Sequence, residues 1–235
     1  FKTHPEYFVL LGGKRVGNGN HLCISNPQVQ ELIYSEMLKQ LDAGAETVEV
    51  AQTDGYRACE CENCKKYGHT DAPGEKLWIF HRSLAERLMK DRPGKKTLLI
   101  SYGPTEKPPR TFDTFPENTL IEICHYSPEA FREWKKYQGI QGFTAYIYNW
   151  GDYPRPGFTA RLSPEACSDQ IRMFLNYNVT GIYRCGFGEL FGMEGPVYYL
   201  YGKLLENPDT SVERILDDYY KNTFGASASF MRAFY

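Results

Sequence analysis

Three cysteines crowd into the stretch TDGYRACECENCKK, residues 53–66: Cys59, Cys61 and Cys64, directly after Asp54-Gly55. The spacing C-x-C-x-x-C sets three thiols in one tight loop. Thiolates are the preferred ligands of a structural zinc, which takes four of them at about 2.3 Å in a tetrahedron. Cys23, in HLCISNP, is the expected fourth ligand, with His69 as the alternative. A Cys59–Cys61 disulfide would close an unusually small and strained ring. Four protein ligands leave no open coordination position, so a zinc held here staples the fold and takes no part in chemistry. Chemistry is expected instead from carboxyl groups, which can act in pairs as acid and base. The candidates are Asp54, Asp152 in YNWGDY and Glu189 in CGFGEL, with Glu194 behind them.

The elements that must position these residues alternate along the chain. Strands are expected at Tyr7–Leu11, Thr47–Gln52, Thr97–Tyr102, Leu120–His125, Phe143–Asn149 and Gly181–Cys185. Helical patterns separate most of them. The first opens on Asn26-Pro27, a cap residue followed by a proline in the first turn, and carries Val29, Leu32, Ile33, Met37 and Leu41 on one face before Gly44 stops it. Further helices are expected near 75–90, 128–137, 164–177, 196–205 and 212–223. Strands alternating with helices of this length build βαβ units and a parallel sheet. Neither LLGGKRVGNG nor GFGELFG has the spacing of a phosphate-binding glycine loop, which argues against a nucleotide fold. Polar or aromatic residues close most strands: Asp54, Tyr102, His125, Asn149-Trp150 and, past the last strand, Glu189. That is where a (β/α)8 barrel of the TIM type collects its chemistry. The expectation is therefore an α/β fold, an incomplete (β/α)8 barrel with about six of its eight strands. The barrel is expected over residues 1–205, with a C-terminal helical segment over 206–235. In a parallel barrel neighbouring strand-end loops face one another, which would bring Cys23 to the cysteine cluster.

Composition narrows the partners. A net charge of -2 leaves no basic excess for a phosphate backbone, so no nucleic-acid partner is expected. No apolar run approaches the roughly 20 residues that cross a bilayer, and no membrane insertion is expected. Aromatic residues make up 15% of the chain, enough to line a wide cleft. The chain has no initiator Met and opens at once on the apolar run at residues 7–11, so it reads as a piece of a longer protein with further domains. Cys124, Cys167 and Cys185 stand singly in apolar surroundings and are expected as buried free thiols.

A Cys in a C-x-x-x-P loop, an acidic strand end and then C-x-C-x-x-C resemble the zinc-bearing β-galactosidases among the barrel glycoside hydrolases. More broadly, HPEYFVL, LCISNPQV, TDG…CECENC, SYGPTEKPP and LYGKLLENPD…ILDDYYKNTFGASASFMRAFY resemble an uncharacterised bacterial domain family known only as a domain of unknown function. That family is similar in layout to the α-glucuronidases and β-hexosaminidases. The resemblance implies a secreted or periplasmic domain that cleaves glycosidic bonds of poly- or oligosaccharides, normally with two carboxyl groups flanking the bond. The alternative is a barrel that binds carbohydrate without cleaving it. In the β-galactosidases an Asn-Glu pair precedes the cluster and its Glu is the general acid; Thr53-Asp54 stands there in this chain. Asp54 is thus the expected acid, with Asp152 or Glu189 as the second carboxylate. Trp150, flanked by Tyr148 and Tyr153, is the expected stacking platform. Tyr102, His125 and Asn149 are the expected partners of sugar hydroxyls, and Lys14-Arg15 could meet an acidic sugar.

Overall fold

The structure, a computed structural model, describes residues 1–148, 163–185 and 191–235. The chain divides into two compact units, Phe1–Ala145 and Tyr146–Tyr235. Seven strands are seen among the described residues. Strands β1 (Leu10–Leu11) and β2 (Lys14–Arg15) form a small antiparallel ribbon. Strands β3 (Thr47–Val50), β4 (Lys96–Ser101), β5 (Thr114–Ile123), β6 (Gln138–Tyr148) and β7 (Val179–Cys185) form a sheet in the order β3-β4-β5-β6-β7. β3 to β6 pair in parallel. Each strand lies beside its neighbour in sequence, with no reversal of direction across the sheet. A doubly wound fold reverses its strand order partway; a (β/α) barrel does not. The fold is therefore α/β with half-barrel strand order.

The sheet has one strand fewer than expected. The segment expected as its first strand, Tyr7–Leu11, does not join it. Pro5–Tyr7 is a single 3-10 turn, Phe8 bridges Leu22, and Leu10–Leu11 pairs only with β2. The reason lies in Gly12-Gly13, both at positive φ, which fold the chain straight back on itself. β5 begins well before the expected Leu120. Its first half contains Pro116 and an irregular register between Thr114 and Leu120, and this composition reads as a turn.

In the first unit the helices cover one face of the sheet. Helix α1 (Pro27–Asp42) is capped by Asn26, whose side chain accepts from the Gln28 amide at 2.9 Å. α2 (Glu62–Lys66) is a short turn of helix in the cysteine loop, and α3 (Pro73–Asp91) packs on β4 and β5. α4 (Pro128–Trp134) follows β5 and is capped by Ser127. Strand alternation sorts the side chains. Val48, Val50, Thr97, Leu99, Ile121 and Ile123 are buried on the α3 side, where Asn118 donates to both Ala85 O of α3 and Thr97 Oγ1. Beneath lies an aromatic core in which Trp78 packs edge-on against Trp134 and Phe115. The buried Trp78 indole donates to Lys107 O at 2.8 Å and so ties this core to the loop after β4.

In the second unit α5 (Pro164–Asn176) packs on β7 and on α6 (Phe191–Glu206); α7 (Val212–Phe224) packs on α6 and α8 (Ala228–Phe234). No helix among the described residues is long and apolar enough to cross a membrane.

α3 approaches the turn after β4 so closely that a Cβ on Gly74 would lie 1.9 Å from Pro104 O. Overpacking against backbone cannot be relieved by a rotamer change. Gly74→Ala is expected to cost about 1–3 kcal/mol, read as a lower urea midpoint with an unchanged m value.

Candidate metal centre and strand-end site

Two loops and the ribbon deliver the four cysteines. Cys23 is anchored by its own amide, which donates to Tyr7 O at 2.8 Å, and its carbonyl accepts from Asn26 N at the mouth of α1. Cys61 caps α2, and its sulfur accepts from the Cys64 amide at 3.4 Å. Cys59 accepts from the Leu10 amide at 3.3 Å, while Glu60 N donates back to Leu10 O at 2.9 Å. Cys23 Sγ lies 3.7 Å from Cys61 Sγ and 3.6 Å from Cys64 Sγ, and all four sulfurs lie within 4.8 Å of one another. Thiolates at about 2.3 Å from a tetrahedral zinc would be about 3.8 Å apart. The spacing fits a metal ion, and none of these cysteines is in a disulfide. His69 is not in the group.

The thiols cannot ionise independently at this distance. Hydrogen bonds from Cys64, Ser25 and Arg15 hold the Cys23 thiol well down, to about 4. The bond to Cys23, and then burial, push Cys64 up, and burial raises Cys59. A dication removes that conflict, since it favours the thiolate at every ligand. Ser25 Oγ sits 2.9 Å from Cys64 Sγ, and Arg15 reaches Cys59 Sγ at 3.7 Å while donating to Phe8 O at 2.6 Å. Arg15 is therefore turned to the sulfurs, and Lys14 alone of the basic pair remains exposed. Lys76 of α3 donates to Cys64 O and Lys65 O, fastening the loop to the sheet's helical layer.

Tyr102 and His125 come together at the ends of β4 and β5, with ring centroids 6.2 Å apart and planes 30° from parallel. The turn below them is fixed by Gln52, which donates to Tyr102 O at 2.5 Å and to Thr105 Oγ1 at 3.0 Å. Glu106 lies 3.7 Å from His125 Nδ1. Asp54 sits in an exposed turn with Gly55 at φ +62, and its carboxylate has no hydrogen-bond partner among the described residues. Thr53 Oγ1 donates to Asn20 O at 3.2 Å. Asn149, Trp150, Asp152 and Glu189 lie outside the described residues. Glu194 is buried in α6. In the second unit, Tyr146 stacks on Tyr183 of β7 at 4.7 Å and lies 4.8 Å from Tyr148.

One carboxyl escaped the sequence reading. Glu122 of β5 and Glu49 of β3 point to the sheet face opposite α3, because their neighbours on the other parity are the buried Val48, Val50, Ile121 and Ile123. Glu122 is only 5% exposed, and Thr144 Oγ1 donates to its Oε1 at 3.4 Å. Burial, then the charge of Glu49, push Glu122 up to about 7 against the opposing effect of Thr144; burial also raises Glu49. The signal was available: TVEV and LIEI each place one Glu inside an apolar alternation, where burial is costly.

The strand order defines an α/β protein with a half-barrel sheet of five strands among the described residues. The chain belongs to the family described as a domain of unknown function (DUF4838), whose profile matches residues 1–235. No functionally curated protein matches it. Among solved structures, a mutant form of an O-GlcNAc hydrolase of Thermobaculum terrenum has the same fold at a TM-score of 0.58 and 15% identity. The likeness covers 91% of this chain and 48% of that one, so the chain spans about half the length of the hydrolase.

Glu122 links stability to pH. Its folded value of about 7 lies above the ordinary 4.5, so the contribution of the protonated form is complete below about 4.5 and is lost as pH rises through 7. Glu122→Gln is expected to stabilise the protein by on the order of 1–3 kcal/mol near pH 8 and far less near pH 5. Chemical denaturation at both pH values measures the difference.

Proposed function

We propose that this chain is part of a glycoside hydrolase-like barrel that acts on poly- or oligosaccharides and is stapled by a zinc ion on Cys23, Cys59, Cys61 and Cys64. The observation that carries the saccharide reading is the shared fold with an O-GlcNAc hydrolase over 91% of the chain. The strand-end group supports it. Tyr102 and His125 offer an aromatic face and ring nitrogens for sugar hydroxyls at the rim where barrel chemistry collects. Asp54 follows β3 at the strand end of the first unit; from the sequence alone, Asp152 and Glu189 are proposed as further carboxylates and Asn149 and Trp150 as saccharide contacts. The sulfur spacing supports the metal. With four thiolates it would be a closed centre, and its work is to hold the β3–α3 loop against the N-terminal ribbon.

A second reading is a barrel that binds saccharide without cleaving it. It is favoured by the exposed, unpartnered state of Asp54 and by the Thr53-Asp54 pair standing where the β-galactosidases carry Asn-Glu. Hydrolysis assays of the full-length protein on uronic-acid and amino-sugar glycans separate the two. An enzyme turns over at least one of them, and Asp54→Asn lowers turnover while affinity persists. A binding protein shows affinity alone.

The metal has its own test. Purified protein is expected to carry one zinc per chain by elemental analysis. Cys61→Ser should lose it and cost on the order of 3–5 kcal/mol of stability. Full thiol titration of a native, zinc-free, equally stable protein would remove the metal from the proposal.

A further inference from the structure

A buried carboxyl on the open face of a barrel sheet needs a reason to be there. Replacing Glu122 by an aliphatic residue would relieve a desolvation penalty that its single 3.4 Å hydrogen bond from Thr144 offsets poorly. Its other oxygen, Oε2, has no hydrogen-bond partner among the described residues. Ile100 and Glu122 are register partners, so Glu122 stands in the second interior row below the rim, with Cys124 above it and His125 at the strand end. Glu49 pairs in register with Leu98, one interior row lower and two strands away. Its charge is the one among the described residues that acts on Glu122; β4 and β6 present the uncharged Ile100 and Thr144 to it.

We propose that Glu122 is the group that protonates the departing glycosidic oxygen in this barrel, with Glu49 as its neighbouring carboxylate. The assignment rests on the saccharide reading above. It differs from that reading in placing the proton donor inside β5 and not in the exposed turn that carries Asp54. In the step, the bond between the anomeric carbon and the glycosidic oxygen breaks and its electron pair stays on the oxygen. That oxygen takes the proton from Glu122. Water adds to the anomeric carbon, and its surplus proton restores the acid through a site carboxylate. Geometry selects Glu122 because it is nearly buried, lies on the sheet face away from α3 and is incompletely hydrogen-bonded. The upward displacement by burial and by Glu49 means that the proton is still present near neutral pH.

The test compares wild type, Glu122→Gln, Glu122→Asp and Glu49→Gln in the full-length protein. The probes are 4-nitrophenyl glycosides of N-acetylglucosamine and glucuronic acid and the corresponding unactivated disaccharides. Glu122→Gln is expected to lower kcat on the disaccharide by roughly 10²–10⁴-fold with KM little changed. The loss should be much smaller on the nitrophenyl glycoside, whose leaving group needs no proton, and Glu122→Asp should recover part of it. Glu49→Gln should move the alkaline limb of the pH profile to lower pH, because removing the neighbouring charge lets Glu122 ionise earlier. If wild type cleaves a probe and Glu122→Gln stays within about threefold on both leaving groups, this assignment falls and the saccharide reading stands. If wild type neither cleaves nor binds any probe, both fall together.

Discussion

Four sulfurs confined within 4.8 Å set the terms for everything at this end of the sheet. They come from two stretches 36 or more residues apart, joined by backbone and side-chain hydrogen bonds around the sulfurs. The ribbon is too short to stand alone, since two strands of two residues bury almost nothing. It holds its place because the Leu10 amide donates to Cys59 Sγ, Leu10 O accepts from the Glu60 amide, and the Cys23 amide donates to Tyr7 O. From there the constraint passes through Lys76 to α3 and through Trp78 to the loop after β4. The turn that presents Tyr102 therefore rests on the same helix that fastens the cysteine loop.

The sheet supplies a different logic. Its α3 side is a packed apolar layer, whereas the opposite side carries Glu49, Glu122 and Thr144 among Leu98, Ile100 and Leu120. One face is mostly apolar packing; the other mixes carboxyl groups with it. A carboxyl can be kept on that second face only at a cost in stability, and proteins commonly concede such a cost at sites of function. The rim differs again: its side chains are more exposed, and its order comes from backbone turns such as the Thr105 hydroxyl bonds to Ile100 O and Tyr102 O.

Much of this was legible in the residues themselves. The C-x-C-x-x-C spacing foretold three members of the cluster, and Asn26-Pro27 foretold the start of α1, because both signals are local chemistry. Cys23 joins the cluster as expected, but from the segment that follows the ribbon and not from the end of a sheet strand. Tyr7–Leu11 misled because an apolar run of that length states burial, not partner, and the positive-φ pair Gly12-Gly13 redirects it into the ribbon. β5 was foreseen only in its second half, since Pro116-Glu117-Asn118-Thr119 has turn composition yet continues the strand. Glu122 was missed for an opposite reason. Attention to strand ends overlooked a charged residue in a strand interior, although alternation alone would have placed it. Asp54 follows β3 in an exposed turn, and that exposure is a tertiary fact that no spacing conveys.

The closeness of the sulfurs also carries a hazard in time. Thiols 3.6–3.7 Å apart need little motion to join under oxidation, and Cys23 lies within that distance of both Cys61 and Cys64. Once a metal is seated, those electron pairs are engaged and the route is closed. The order of encounters during maturation therefore matters: a newly folded chain that meets an oxidant before its ion would trap the loop in a covalent pairing that leaves two sulfurs stranded. The packing that would make the cluster a good host for an ion is the same packing that leaves its empty form open to oxidation.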